Sequence, residues 1–229
     1  MKLVGFKKLL QDSLNLYRKN FKDLLIISTL FFGIPAMLGG LVGVEPAELS
    51  KFYWPELKGL FQNAIFVLPL RQFVIVILLA FLMNNFGTAL IVSYLKHYQI
   101  NQSFKETLSK YGFFLWTSLL SGIIISLGVL VFIIPGVLAY VFFILSNYLV
   151  IYENKVGIDA LIESARLVKK CFTGIALRIL GLISILFLFS AGLSFIPYLG
   201  NIVFSVLLIP FSIIYYYLIY NQLKKVIIS

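Results

Sequence analysis

The chain has 229 residues, 61% of them hydrophobic and only 12% charged, with a mean hydropathy of +1.00 and a formal net charge of +10. No soluble domain of this size needs so much apolar surface, so the composition excludes that class and points to a chain that crosses a membrane repeatedly. A single cysteine, Cys171, excludes an intrachain disulfide and reads as a small buried thiol.

Phe6, Leu9, Leu10, Leu14 and Tyr17 recur at helical spacing. Lys7, Lys8, Gln11, Asp12, Asn15 and Arg18 fill the opposite face. This predicts an amphipathic helix lying in the headgroup layer. The segment holds no compact apolar stretch and carries Asp12, Arg18 and Lys19, unlike a cleavable signal peptide.

A helical span needs about 20 apolar residues, because each rises about 1.5 Å through about 30 Å of hydrocarbon. Leu24 to Val44 and Phe73 to Leu95 are two uncharged runs of that length. Tyr111 to Tyr152 and Ile179 to Leu223 are each twice as long. Ile134-Pro135-Gly136 and Pro197-Tyr198-Leu199-Gly200-Asn201 divide them into two hairpins. The predicted fold is all-α with six transmembrane helices, since each backbone polar group must be satisfied inside its own span. A β-barrel would need alternating polarity, and these runs are apolar all round.

Sixteen of the nineteen basic residues fall on one side of that topology. Only Lys51, Lys58 and Arg71 lie on the other, beside Glu45, Glu48 and Glu56. The positive-inside rule then places both termini in the cytoplasm of a cell-membrane protein. The net charge reads as this topology signal plus attraction to anionic headgroups. Nucleic acid binding would need a basic patch off the membrane, and none is present.

Two further cytoplasmic helices are expected. One carries the stripe Ile158, Leu161, Ile162, Ala165 and Val168, with Asp159 in its first turn and Lys169 and Lys170 in its last, which suits the helix dipole. The other, Phe104 to Lys110, is shorter. Residues 1–229 form one integral membrane domain, with candidate repeat units 1–98, 99–152 and 153–229, each an interfacial helix plus two spans. In the expected outer loop, Glu45 to Leu70, Tyr53 and Trp54 are interface anchors and Pro55-Glu56 a helix start. Tyr215, Tyr216, Tyr217 and Tyr220 read as an aromatic belt at the cytoplasmic end.

One pattern resembles a known family. Its residues are Ile134-Pro135-Gly136, Val150-Ile151-Tyr152-Glu153, Val156 to Ser164, Val168-Lys169-Lys170, and the closing Pro210-Phe211 to Tyr220-Asn221-Gln222-Leu223-Lys224. Over residues 111–225 the chain is similar to the uncharacterised membrane proteins grouped with the glycerophosphoryl diester phosphodiesterase membrane domain. Where that family often has an aromatic after the helix serine, Ala165 stands here. The resemblance implies six spans. It implies no phosphodiesterase activity, which belongs to a separate soluble domain that this chain has no room for.

Catalytic chemistry finds no purchase in the sequence. No H-E-x-x-H or G-x-S-x-G occurs, no acidic residue lies within a predicted span, and the one histidine, His97, sits at a span end. The reading is therefore a non-enzyme without cofactor or metal. Polar candidates for binding are few. Asn84 and Asn85 lie at the middle of the second span; Asn147, in the fourth, is a partner for one of them. Buried amides must be paired, either across helices or by a ligand. Arg71 and Arg178 stand at span ends, where each anchors the helix or holds a lipid phosphate. Small residues four apart (Ser118, Gly122 and Ser126; Ala36 and Gly40; Gly39 and Gly43; Ser190 and Ser194) read as helix-packing positions.

Two functions remain open at this stage. One is a membrane component that organises lipid or another membrane or cytoplasmic protein, as a monomer or homo-oligomer. The other is a permease or solute-binding subunit of a transporter.

Overall fold

The structure, a computed structural model, describes residues 4–41, 64–196 and 199–228. Every element among them is helical. Six helices are long and apolar enough to cross a membrane, so the protein is an all-α multi-pass membrane protein. Span 1 is Phe21–Leu38, span 2 Val74–His97, span 4 Ile133–Glu153, span 5 Phe172–Leu193 and span 6 Leu199–Lys225. The helix Ile100–Val131 has 32 residues, about 48 Å. Only its uncharged part, residues 111–131, fits the hydrocarbon as span 3, and its charged first turns stand outside. Two shorter helices are α1 (Phe6–Lys19) and α2 (Ile158–Lys169). The outward surface of the spans is apolar, with Leu130 81% and Phe187 71% exposed. A soluble protein would not leave such side chains in water.

The first predicted hairpin break is displaced. The chain turns at Phe132, whose backbone is extended, and Pro135 and Gly136 already belong to the first turns of span 4. Proline is tolerated there because the first N–H groups of a helix have no internal partner. Gly136 packs against Val129, and Gly200 against the Leu193 carbonyl, too closely for a Cβ at either position. The glycine lets the two arms of each hairpin meet.

Spans 1 and 6 each contain one widened π-helical turn, Thr29–Gly33 and Phe204–Leu208. Each ends two residues before a proline, Pro35 and Pro210. A proline lacks the N–H and crowds the carbonyl four residues back; a widened turn accommodates both effects.

Several expectations are corrected. The Phe104 to Lys110 segment is continuous with span 3, since no proline or extended residue separates them. Helix extends back from span 2 to Ala64, so residues 64–70 are not loop. Residues 42–63, with Gly43, Tyr53, Trp54 and Pro55-Glu56, lie outside the described residues, as do the surroundings of Gly39 and Gly40. Tyr215, Tyr216, Tyr217 and Tyr220 are buried core residues rather than a belt. Their hydroxyls are satisfied inside: Tyr215 by the Arg178 carbonyl, Tyr217 by the Leu95 carbonyl and Tyr220 by Glu153. Gly122 has open space where a Cβ would go, so that position makes no close helix approach among the described residues.

Candidate functional site

Span 2 meets span 3 across the link at residues 98–99, and span 4 meets α2 across residues 154–157. These links, the first and last described residues and the start of span 5 gather at one end of the bundle, through contacts such as Lys110 Nζ to the Ile151 carbonyl (2.8 Å) and Arg178 to the Val4 carbonyl. Among the described residues this basic end holds nearly all the charge. Five of its basic residues are paired locally with carboxylates. Glu106 is the hub of one cluster: it receives Ser93 Oγ (2.8 Å), Lys96 Nζ (2.7 Å) and Lys110 Nζ (2.8 Å), and its Oε2 lies 2.7 Å from His97 Nε2. Burial opposes ionisation of this carboxyl. The hydrogen bonds from Lys110, Lys96, Ser93 and His97 outweigh burial and hold its pKa down at about 2. Glu153 pairs with Lys224 and Lys155, and Glu163 with Lys155 (3.1 Å) and Arg166 (2.8 Å).

Among the described residues no carboxylate pairs with Lys169, Lys170 or Arg178, nor with other outward cations such as Lys7, Lys8, Lys105 and Lys225. What sets the first three apart is their place. They line one open pocket of about 560 Å³ with Cys171, Phe172, Thr173 and Gly174. The local sequence builds it. Helix α2 ends at Lys169, the chain turns at Lys170-Cys171, and span 5 starts at Phe172. Its first internal bond is Ile175 N–H to the Cys171 carbonyl (3.0 Å). The N–H groups of Phe172, Thr173 and Gly174 therefore face outward at the positive end of a 22-residue helix. Two lysines, a free hydroxyl and a helix start make a site that favours an anion.

Arg178 has a second task that its sequence position did not reveal. Its Nε and Nη2 both donate to the Val4 carbonyl (3.1 and 2.6 Å), and Nη1 donates to the Gly174 carbonyl. The guanidinium thus clasps the chain just before α1 onto span 5, and two of its five donors remain for a ligand.

The other sequence candidates lie apart from this pocket. Asn85 donates to its own helix, Nδ2 to the Phe81 carbonyl (2.9 Å). Asn84 offers its carbonyl to Thr88 Oγ1 (2.8 Å). Asn147 is paired with neither: its Oδ1 accepts from Ser118 Oγ (3.2 Å), between spans 3 and 4. Ser118, read as a packing residue, is a hydrogen-bond partner. The side chain of Arg71 lies outside the described residues.

Asn147 also lines a second cavity, of about 210 Å³, with Thr88, Ser121, Tyr140, Ser212 and Tyr216 among its walls. This cavity was not legible in the sequence, because its polar residues are spread over four spans. Among the described residues no three His, Cys, Asp or Glu side chains gather as metal ligands. No known family model, curated protein or solved structure matches the chain.

Proposed function

We propose that this protein is a non-enzymatic component of the cell membrane that holds anionic lipid headgroups at its cytoplasmic face. One observation carries the reading: Lys169 and Lys170, which no described carboxylate neutralises, line an open pocket at a helix start. A lipid phosphate supplies the missing charge, and the apolar flank of span 5 receives its acyl chains. Each basic residue at an anionic surface contributes about 1 kcal/mol. Helix α2 positions the pair by burying Ala160, Leu161, Ser164, Leu167 and Val168 against the bundle, which leaves Ile158 and Ile162 exposed to the interface. In this reading both termini are cytoplasmic and α1 rests in the headgroups, with Lys7, Lys8 and Arg18 outward. The family resemblance of residues 111–225 is compatible with it and rests on those residues alone.

The test compares wild type with the Lys169→Gln/Lys170→Gln double variant, each reconstituted in phosphatidylcholine vesicles containing phosphatidylglycerol. Lipids that co-purify after gentle extraction are counted by native mass spectrometry. Wild type retains phosphatidylglycerol and the double variant loses it. Equal retention by the two contradicts the reading.

A further inference from the structure

The second cavity stands independently of the headgroup pocket. Thr88 of span 2, Ser121 of span 3, Asn147 of span 4 and Ser212 of span 6 all open onto it, and Tyr140 and Tyr216 share a hydrogen bond (3.2 Å) in its wall. Thr88 is nine residues inside His97, Asn147 six inside Glu153 and Ser212 twelve inside Lys224. At about 1.5 Å per residue these positions lie about 9 to 18 Å below the charged ends of their spans. The cavity is partly open and its wall is mixed, with Val92, Ile125, Phe143, Ile144 and Ile213 beside the polar groups. Voids left by imperfect packing are apolar and dry, whereas polar groups gathered in a space of this size favour an occupant. An ion is disfavoured, because no charged side chain lines the cavity to offset its desolvation.

The hydroxyl protons are already committed. Thr88 Oγ1 donates to the Asn84 carbonyl (2.8 Å), Ser121 Oγ to Ser118 (2.9 Å), Ser146 Oγ to Phe143 (2.7 Å), Ser212 Oγ to Ile209 (2.7 Å), and Tyr148 to Ile213 (2.7 Å). Those oxygens can now only accept. The donors left to a ligand are the Asn147 amide, whose Oδ1 is taken by Ser118, and one proton of the Tyr140–Tyr216 pair. An acceptor-rich, uncharged cavity with two donor groups matches a molecule whose groups both donate and accept. We infer that the cavity is a binding site for a small uncharged polyhydroxyl group, free in solution or as the neutral sugar of a glycolipid. Its volume equals that of about seven waters.

The experiment uses the full chain in nanodiscs. One arm measures equilibrium binding of radiolabelled xylitol, with unlabelled erythritol and sodium chloride as competitors. A second arm measures retention of a monohexosyl glycolipid by native mass spectrometry. The expected result is saturable binding in one arm, insensitive to sodium chloride and weakened at least tenfold by Asn147→Leu. Thr88→Val removes a single hydroxyl at constant shape and weakens it severalfold, which covers the case where Asn147→Leu does not fold. Binding in the xylitol arm identifies a free polyol; binding only in the second identifies a lipid head. No saturable binding in either arm by folded wild type, or binding that Thr88→Val leaves unchanged, overturns the proposal.

Discussion

Gly33 and Val206 meet where the widened turns of spans 1 and 6 cross: a Cβ at position 33 would stand 3.0 Å from Val206 Cγ2. The two turns thus pack through the position with the smallest side chain, next to the prolines that widen them. Gly33→Leu forces these helices apart and is expected to cost about 1–3 kcal/mol. Thermal unfolding in detergent reads this as a clear fall in Tm. Gly33→Ala falls less, because the Val206 methyl can shift.

Glu106 is the stabilising acid of the basic end. Its pKa is depressed in the folded protein, so its contribution is present above the ordinary carboxylate range and is lost as pH falls from about 4.5 toward 2. Glu106→Gln is expected to cost about 1–3 kcal/mol by leaving Lys96 and Lys110 without their counter-charge. Thermal melts between pH 7 and pH 3 check this. Wild type loses stability across the acid limb, and the variant shows a flatter limb there.

Arg178 predicts a local effect. Arg178→Lys keeps the charge but not the fork that grips the Val4 carbonyl, and lysine does not reproduce that geometry. Amide hydrogen exchange is expected to rise across Phe6–Lys19 and to stay unchanged in span 4.

Gly157 adopts φ +58, and its buried N–H donates to Thr117 Oγ1 at 2.8 Å. Thr117→Val keeps the shape and removes the acceptor. A buried donor left unpaired costs about 1–3 kcal/mol. Gly157→Ala adds backbone strain and approaches Trp116 Nε1 at 3.1 Å. Both variants are expected to lower Tm, which unfolding in detergent measures.

The spans were legible because their signal is additive: about 20 apolar residues in a row need no knowledge of neighbours. Pro135 and Gly136 marked the first hairpin to within a few residues. They could not say that the turn falls at Phe132, since proline suits the first turn of the next helix as well as a break. The tyrosines at 215–220 misled for a similar reason. An aromatic with a polar tip fits an interface or a core, and only partners such as the Leu95 and Arg178 carbonyls decide which. Which lysines are neutralised was not legible either. Glu106 finds Lys96 across a link and Glu153 finds Lys224 from the far end of the chain. Lys169 and Lys170 stand out only once the pocket that they line is known.

The most direct test is the lipid count on the Lys169→Gln/Lys170→Gln variant, extracted from vesicles containing phosphatidylglycerol. Loss of about 2 kcal/mol from two lysines is more than a tenfold drop in affinity. The account predicts wild type carrying bound phosphatidylglycerol and a folded double variant carrying none. A double variant that carries as much as wild type would contradict it.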